Sequence, residues 1–260
     1  MALTLTPIPG IPLIRPGDAL AEIVWSALLA MPADRAPVGL EDGDILVFAQ
    51  KVVSKAEGRL VKLADITPSA RAVELALQSE KDPRFIELVL RESSEVMRVR
   101  PGTIIVEHRC GFVCANAGID HSNVRGPDGN PEDWVLLLPE DPDRSAEALR
   151  DGLCRRSGKS VGVVVIDSHG RAWRNGTVGV AIGVANVPGV VDLRGEEDLF
   201  GYRLQVTMVA AADELAAAAS LMMGQAAEST PVVHARGFPY ALRPAKFSEL
   251  VRPKALDLFR

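Results

Sequence analysis

The chain has 260 residues, 47% of them hydrophobic, enough for a sizeable core in one large domain or two small ones. Its net charge is −5, with both signs mixed along the whole length and no polybasic run, which argues against nucleic acid as the main partner. No cationic region followed by a long apolar stretch opens the chain, and the longest apolar runs are too short for a bilayer, so a cytoplasmic protein without membrane segments is expected.

In chain order, strand-like runs fall at 3–7, 45–49, 103–107, 134–138, 161–166, 178–184, 204–209 and 232–235. Helical periodicity falls at 18–31, 69–79, 83–91, 145–156 and 211–223. Asp82 before Pro83 marks a helix start, with Phe85, Leu88 and Val89 on one apolar face. Strands and helices interleave, which predicts an α/β or mixed α+β fold in one unit around a largely buried sheet. Glycine, proline and charge cluster at 125–131 and 187–197, the expected exposed loops. The segment 244–260 reads as a short closing helix with a basic face. The three cysteines, Cys110, Cys114 and Cys154, are expected as reduced structural thiols, because no second Cys/His pair at zinc spacing follows His108, Cys110 and Cys114.

Two motifs fail on their context, and two others leave a ligand-binding role open. Ser157-Gly158-Lys159-Ser160 ends like a phosphate-binding loop, but Leu153 stands where that loop needs glycine, and a strand follows instead of a helix. Gly176, Gly179 and Gly183 are too open for a dinucleotide-binding turn, and close backbone packing explains them equally well. Lys51, Lys55 and Arg59 recur every four residues after the strand 45–49, so a helix there presents either a phosphate-binding face or a solvated edge. Ser220 to Pro231 ends an Ala-rich helix at Gly224, a natural C-cap, and its polar loop offers Gln225 and Glu228 as metal or nucleotide ligands.

Two acidic segments are more informative. In Asn116-Ala-Gly-Ile-Asp-His-Ser-Asn-Val124 and in Val161-Gly-Val-Val-Val-Ile-Asp-Ser-His-Gly170, an apolar run delivers one Asp into a turn of small polar residues. Asp120 and Asp167 then have hydroxyl and amide oxygens beside them, the hard-oxygen chemistry that Mg²⁺ or Mn²⁺ takes when it also carries phosphate. Each segment alone is also an ordinary turn or helix cap. His121 and His169 are read as neighbours, not ligands, because a hard metal bearing phosphate needs no imidazole.

Taken together, the chain resembles the coenzyme F420-0:L-glutamate ligase family, the F420 γ-glutamyl ligases. The resemblance rests on Gly10-Ile-Pro-Leu-Ile-Arg-Pro-Gly-Asp18, on Glu41 to Val47 with Val53 to Arg59, and on Cys114-Ala-Asn-Ala-Gly-Ile-Asp-His-Ser-Asn-Val124. Gly158 to Ser168, Gly176 to Gly183 and Leu221-Met-Met-Gly-Gln225 complete it, in order, over nearly the whole chain. It implies a GTP-dependent amide ligase with an unusual α/β fold, working as an intertwined homodimer. Such enzymes join the α-amine of L-glutamate to the carboxylate of the lactyl phosphate tail of F420-0, with further γ-linked glutamates as an extension. GTP rather than ATP is implied by the resemblance alone.

Carried over by position, Asp120 and Asp167 bind divalent metal, with Ser168 and Gln225 completing a second position for Mg²⁺ or Mn²⁺. Potassium is a further candidate ion. Ile11, Pro12, Leu13, Ile14, Gln50, Lys51, Lys55 and Asn123 line the GTP site, together with Met223, Gly224, Gln225, Ala226, Ala227, Glu228, Ser229 and Thr230. Lys55 supplies positive charge to the nucleotide phosphates. From residue type alone, Arg174 is a further candidate for contacting the carboxylate or the transferring phosphoryl group. Three features depart from the pattern. Ser168 stands where Thr is usual in archaeal members, and Gln225 where an acidic residue is usual, so the second metal is expected to bind more weakly. The C-terminal flavin-binding nitroreductase-like domain of some bacterial relatives does not follow, so flavin chemistry is expected elsewhere. A metal-dependent phosphohydrolase and a non-catalytic nucleotide-binding dimer are the competing readings.

Overall fold

The apolar runs 45–49 and 162–166 lie side by side in parallel, Ile45 opposite Gly162 and Ala49 opposite Ile166. Buried on both faces, each reads as a nearly continuous hydrophobic stretch, as strands inside a covered sheet do. In the computed structural model, which describes residues 2–32, 39–127, 129–130 and 132–257, the chain begins with β1 (Thr4–Pro7), α1 (Leu20–Leu29), β2 (Ile45–Ala49), α2 (Gln50–Ala56) and β3 (Leu60–Lys62). It continues through α3 (Ala70–Ser79), α4 (Pro83–Arg91), β4 (Ser93–Arg100), β5 (Thr103–His108), β6 (Val113–Ala115) and β7 (Trp134–Leu136). After these come α5 (Pro142–Ser157), β8 (Gly162–Arg171), β9 (Arg174–Ala185), β10 (Val191–Asp192), β11 (Met208–Val209), α6 (Ala211–Met223) and β12 (Val232–Arg236).

The main sheet has five strands in the order β1-β12-β2-β8-β9. Side chains alternate between its faces. Leu46, Phe48, Val163 and Val165 meet α1 and α5 through Val24, Leu28, Leu149 and Leu153. Ile45, Val47, Val164 and Ile166 meet α6 through Leu215, Ala216 and Ala219. The small residues of α6 let it lie close, and Gly179 on β9 makes this possible: a Cβ there would sit 2.7 Å from Ala216 O and 2.6 Å from Ser220 Cβ. Gly183 admits the first turn of α5 in the same way, at 2.3 Å from Pro142 O. Close packing is therefore what both glycines serve.

A smaller region has its own core, in which α3 and α4 cover β4-β5-β6 and the β3-β7 pair through Leu75, Ile86, Val89, Ile104, Val106 and Val135. Ser69 and Asp82 cap α3 and α4 by accepting from the Ala72 and Arg84 amides. Just before β2, the central strand, Asp44 is buried and accepts from Arg236 Nε at 2.8 Å, Arg236 Nη2 at 2.7 Å and the Glu41 amide at 2.7 Å. His234 Nε2 lies 2.9 Å from the same carboxylate.

The mixed α/β expectation holds, with differences in detail. The helix expected over 145–156 begins earlier, at Pro142, because Asp141 caps it and the proline needs no donor in a first turn. The strand expected at 204–209 shrinks to Met208–Val209, in a short pair with β10 that interrupts the loop expected at 187–197. Within 244–257 there is no α-helix among the described residues, only 3₁₀ turns at Phe247–Glu249 and Lys254–Leu256. Pro253 lacks the donor a continuous helix needs. The rest of that expected helix, 258–260, and positions 128 and 131 of the expected loop lie outside the described residues.

Candidate active site

At the end of β2 the chain turns directly into α2. Gln50 opens this helix and is buried. Ser54 Oγ, one turn later, donates to Gln50 Oε1 at 2.9 Å, which fixes the amide and aims Nε2 at Asp120 Oδ2, 2.5 Å away. Lys51 Nζ lies 3.2 Å from Asp120 Oδ1 and donates to Ser122 O and Oγ at 3.1 and 2.9 Å. Lys55 Nζ donates to Asn123 O at 2.8 Å. The four-residue spacing therefore forms a cationic face in part. Arg59 lies beyond the helix and turns away, donating to Leu138 O at 2.9 Å and to Glu92 at 3.0 Å.

Asp120 comes from the smaller region. Asn116, Ala117 and Gly118 all take positive φ, 54°, 53° and 66°, and this tight turn redirects the chain after β6. Asp120 is then pinned by reciprocal backbone hydrogen bonds with Leu136, each 2.9 Å. Its carboxyl group is pushed up to about 6, by burial first and by repulsion from Asp167 second, against the pull of Lys51 and Gln50. Burial and the neighbouring Lys51 likewise lower Lys55, with Asp120 opposing.

Asp167 sits on β8 just past its buried run, directly after Ile166, the register partner of Ala49. Its repulsion of Asp120 marks the approach of two acids 47 positions apart in sequence. Ser168 Oγ donates to Gln225 Oε1 at 3.0 Å, and Gln225 Nε2 donates to Ser220 Oγ at 3.0 Å. The loop after α6 closes over this pair. Asn123 Nδ2 donates to Ala226 O at 3.0 Å, which ties the smaller region to the loop. Thr230 Oγ1 donates to Met223 O at 2.9 Å, and the Glu228 carboxylate accepts from the Ala226 amide at 2.8 Å.

These groups line one cavity of about 910 Å³. The structure brings together Asp120, Asp167, Ser168, Gln50, Lys51, Lys55 and Asn123 with Ile11 to Ile14 on one wall and Met223 to Thr230 on another. Arg174 is not among them; it is exposed at the start of β9, beyond Thr177, which is at the rim. Asn116, Ser122, Ser220 and Thr177, to which the sequence gave no role, also line the cavity, as does His169, read there as a neighbour and not a ligand. Asn116 Oδ1 is buried there with no hydrogen-bond partner among the described residues. The signal available for Asn116 was its place in a polar turn, where Asn tolerates positive φ.

The donor chemistry suits a hard divalent cation. Asp120, Asp167, Ser168 and Gln225 offer only oxygen to it, and a cation between the two acids would relieve the repulsion that raises Asp120. Among the described residues no group of three or more His, Cys, Asp or Glu side chains is gathered for a metal, so neutral oxygens must complete the shell. Cys114, also on the cavity wall, is buried, and its thiol is pushed up to about 12 by burial and then by Asp167. It stays protonated and is a poor metal ligand.

The chain matches the family model for F420-0:Gamma-glutamyl ligase over residues 10–237. It is 47% identical to the coenzyme F420:L-glutamate ligase of Methanopyrus kandleri, over 99% of this chain and 98% of that one. It is 46% identical to the protein of the same name from Methanothermobacter thermautotrophicus, over the full length of both. With the corresponding protein of Archaeoglobus fulgidus the identity is 42%, over 100% of this chain and 97% of that one. The oxygen-lined cavity and these end-to-end identities lead to one conclusion: the chain belongs to the F420-0:γ-glutamyl ligase family.

Proposed function

We propose that this protein joins L-glutamate to coenzyme F420-0, forming an amide with GTP as the energy source and releasing GDP and phosphate. The carrying observation is the meeting of Asp120 and Asp167 beside Lys51 and Lys55 in one cavity, in a chain alignable end to end with coenzyme F420:L-glutamate ligases.

A carboxylate is a poor acyl donor because its oxide leaves poorly. Transfer of the γ-phosphoryl group to that oxygen gives an acyl phosphate, and attack by the glutamate amine then expels phosphate. Asp120, Asp167, Ser168 and Gln225 would hold two divalent ions, Mg²⁺ or Mn²⁺, which would supply positive charge to offset that of the phosphates. Lys55 and Lys51 face the phosphates, and exchanging the Asn123 and Ser122 oxygens for phosphate oxygens is the favourable trade that GTP offers them. Gln50 holds Asp120 in place through its amide. The apolar segment Ile11 to Ile14 and the loop Met223 to Thr230 enclose the nucleoside. Arg174 is assigned to a carboxylate or phosphoryl end that extends past the rim at Gly170 and Thr177.

The working unit is a homodimer. The arm carrying β10 and β11 bears Leu199 at 96% and Phe200 at 94% exposure, with Tyr202, Val206 and Met208 also exposed, an apolar surface suited to a second copy.

Mass spectrometry of the protein with F420-0, GTP, Mn²⁺ and glutamate tests the reading. Products heavier by one or more glutamyl units are expected. GTP hydrolysis indifferent to glutamate would replace it with a phosphohydrolase, and GTP binding without turnover with a non-catalytic nucleotide-binding dimer.

A further inference from the structure

His169 lies two residues after Asp167 on β8, so both side chains leave the same face of the strand. Its Nε2 is 3.1 Å from Asp167 Oδ2. The two side chains are almost equally enclosed, at 11% and 12% exposure. The imidazole is packed against Phe112, with ring centroids 5.2 Å apart. Phe112 is itself fixed, stacked on His108 at 4.9 Å and edge-on to Phe247 at 5.6 Å. His169 and Phe112 also line a smaller cleft of about 320 Å³ with Asp213, whose Oδ1 accepts from the Ala181 amide at 2.9 Å. The imidazole thus forms a wall between the main cavity and this cleft, with one nitrogen on the Asp167 carboxylate.

We propose that His169 is a positioning residue for Asp167: its Nε2–H holds Oδ2, fixing the carboxylate so that the other oxygen is presented to a divalent cation. This rests on the reading of Asp167 as a metal ligand. A lone carboxylate at a strand end turns about two side-chain bonds, and a cation must stop that rotation each time it binds. A donor already seated on one oxygen removes the cost in advance. Outer-shell hydrogen bonds of this kind are worth about 10- to 100-fold in metal affinity. The ring packing matters as much as the nitrogen, because an imidazole free to swing would itself need ordering.

The test is the Mn²⁺ dissociation constant of the purified protein, with and without GTP, read from the free Mn²⁺ signal by electron paramagnetic resonance. His169→Phe keeps a ring against Phe112 and removes the donor; its Mn²⁺ affinity is expected to fall about 10- to 100-fold. His169→Gln, whose amide nitrogen reaches the place of Nε2, should recover most of the affinity, and His169→Asn, whose amide is too short, should not. The Gln and Asn pair decides the matter if the Phe variant fails to fold. Wild-type Mn²⁺ affinity in the Phe and Asn variants overturns the proposal. Asp167→Asn separates the two levels. Loss of Mn²⁺ in that variant alone removes only the role of His169, whereas unchanged binding there removes the metal assignment and the positioning role with it.

Discussion

The two ends of β2 carry acids in opposite conditions. Below the strand, Asp44 receives Arg236, His234 and the Glu41 amide; burial alone would raise it, yet these partners hold it well below the usual carboxylate range. Above the strand, Asp120 has Gln50 and Lys51 for partners but faces Asp167, and it titrates near 6. Asp44 is the more completely covered, with 2% of its side chain exposed against 24% for Asp120, so exposure to water does not explain the higher value at Asp120. What differs is whether the protein itself supplies the compensating charge. Asp44 has its partners in place and belongs to the architecture; Asp120 shares Lys51 with Ser122 and faces a second acid, an arrangement that suits the proposed cation.

The largest expected effect breaks the upper end. Asp120→Asn and Asp167→Asn should each lower glutamate ligation by about 10³-fold or more, since several kcal/mol of charge stabilisation leave with each ligand. The assay is product mass at saturating GTP and Mn²⁺, with circular dichroism checking the fold. Next comes the lower end. Asp44→Ala strands Arg236 and His234 without their carboxylate and should cost about 3–5 kcal/mol in urea unfolding, while the kcat of the folded fraction stays near wild type. An intact urea midpoint would show that the Asp44 cluster does not hold the start of β2. Lys55→Met removes one charge-assisted contact and should reduce kcat/KM for GTP by about 10- to 100-fold in steady-state kinetics.

The two ends should also respond to pH with opposite sign. Asp44 has a depressed folded pKa, so the stability it contributes is present above about pH 4 and is lost as pH falls through the folded value. Asp120 has a raised one, so its contribution in chelator is full below about pH 4 and is lost as pH rises towards 6. Metal-free Asp120→Asn should therefore be more stable than wild type at pH 7, by about 1–2 kcal/mol, with the gap closing below pH 4. Thermal melts across pH in chelator measure this, and excess Mn²⁺ should reverse the order. The smallest effect expected is from Gln225→Glu, which adds charge beside Ser168 and should lower the half-saturating Mn²⁺ concentration severalfold.

Much of this was legible in the residues. The runs at 45–49 and 161–166 announce buried strands because nothing polar interrupts them, and Asp167 stands out by ending one of them. The cap at Asp82 and the stop at Gly224 follow from local chemistry and fall where expected. β4 did not, because Ser-Ser-Glu-Val-Met-Arg-Val-Arg is a bulged edge strand, largely exposed, whose charges hide its alternation. α2 was read only as a conditional face, since seven residues are too few to show a period. The partners of Asp120 were out of reach for another reason. Gln50 is 70 positions away, and only tertiary packing can place it on that carboxylate. His169 was seen but given no work, because the strand was expected to end at 166, and only its continuation to Arg171 sets His169 on the same face as Asp167.

Because β2 and β8 run in the same direction with Ala49 level with Ile166, the next residues, Gln50 and Asp167, emerge at one rim, and Gln50 in turn grips Asp120. The ladder therefore acts as a ruler, setting the gauge between the acids by the pitch of neighbouring strands and not by any flexible connection. Surface segments elsewhere can lengthen or shorten without altering that gauge, whereas a shift of one rung between β2 and β8 would swing Asp167 to the opposite side of the sheet.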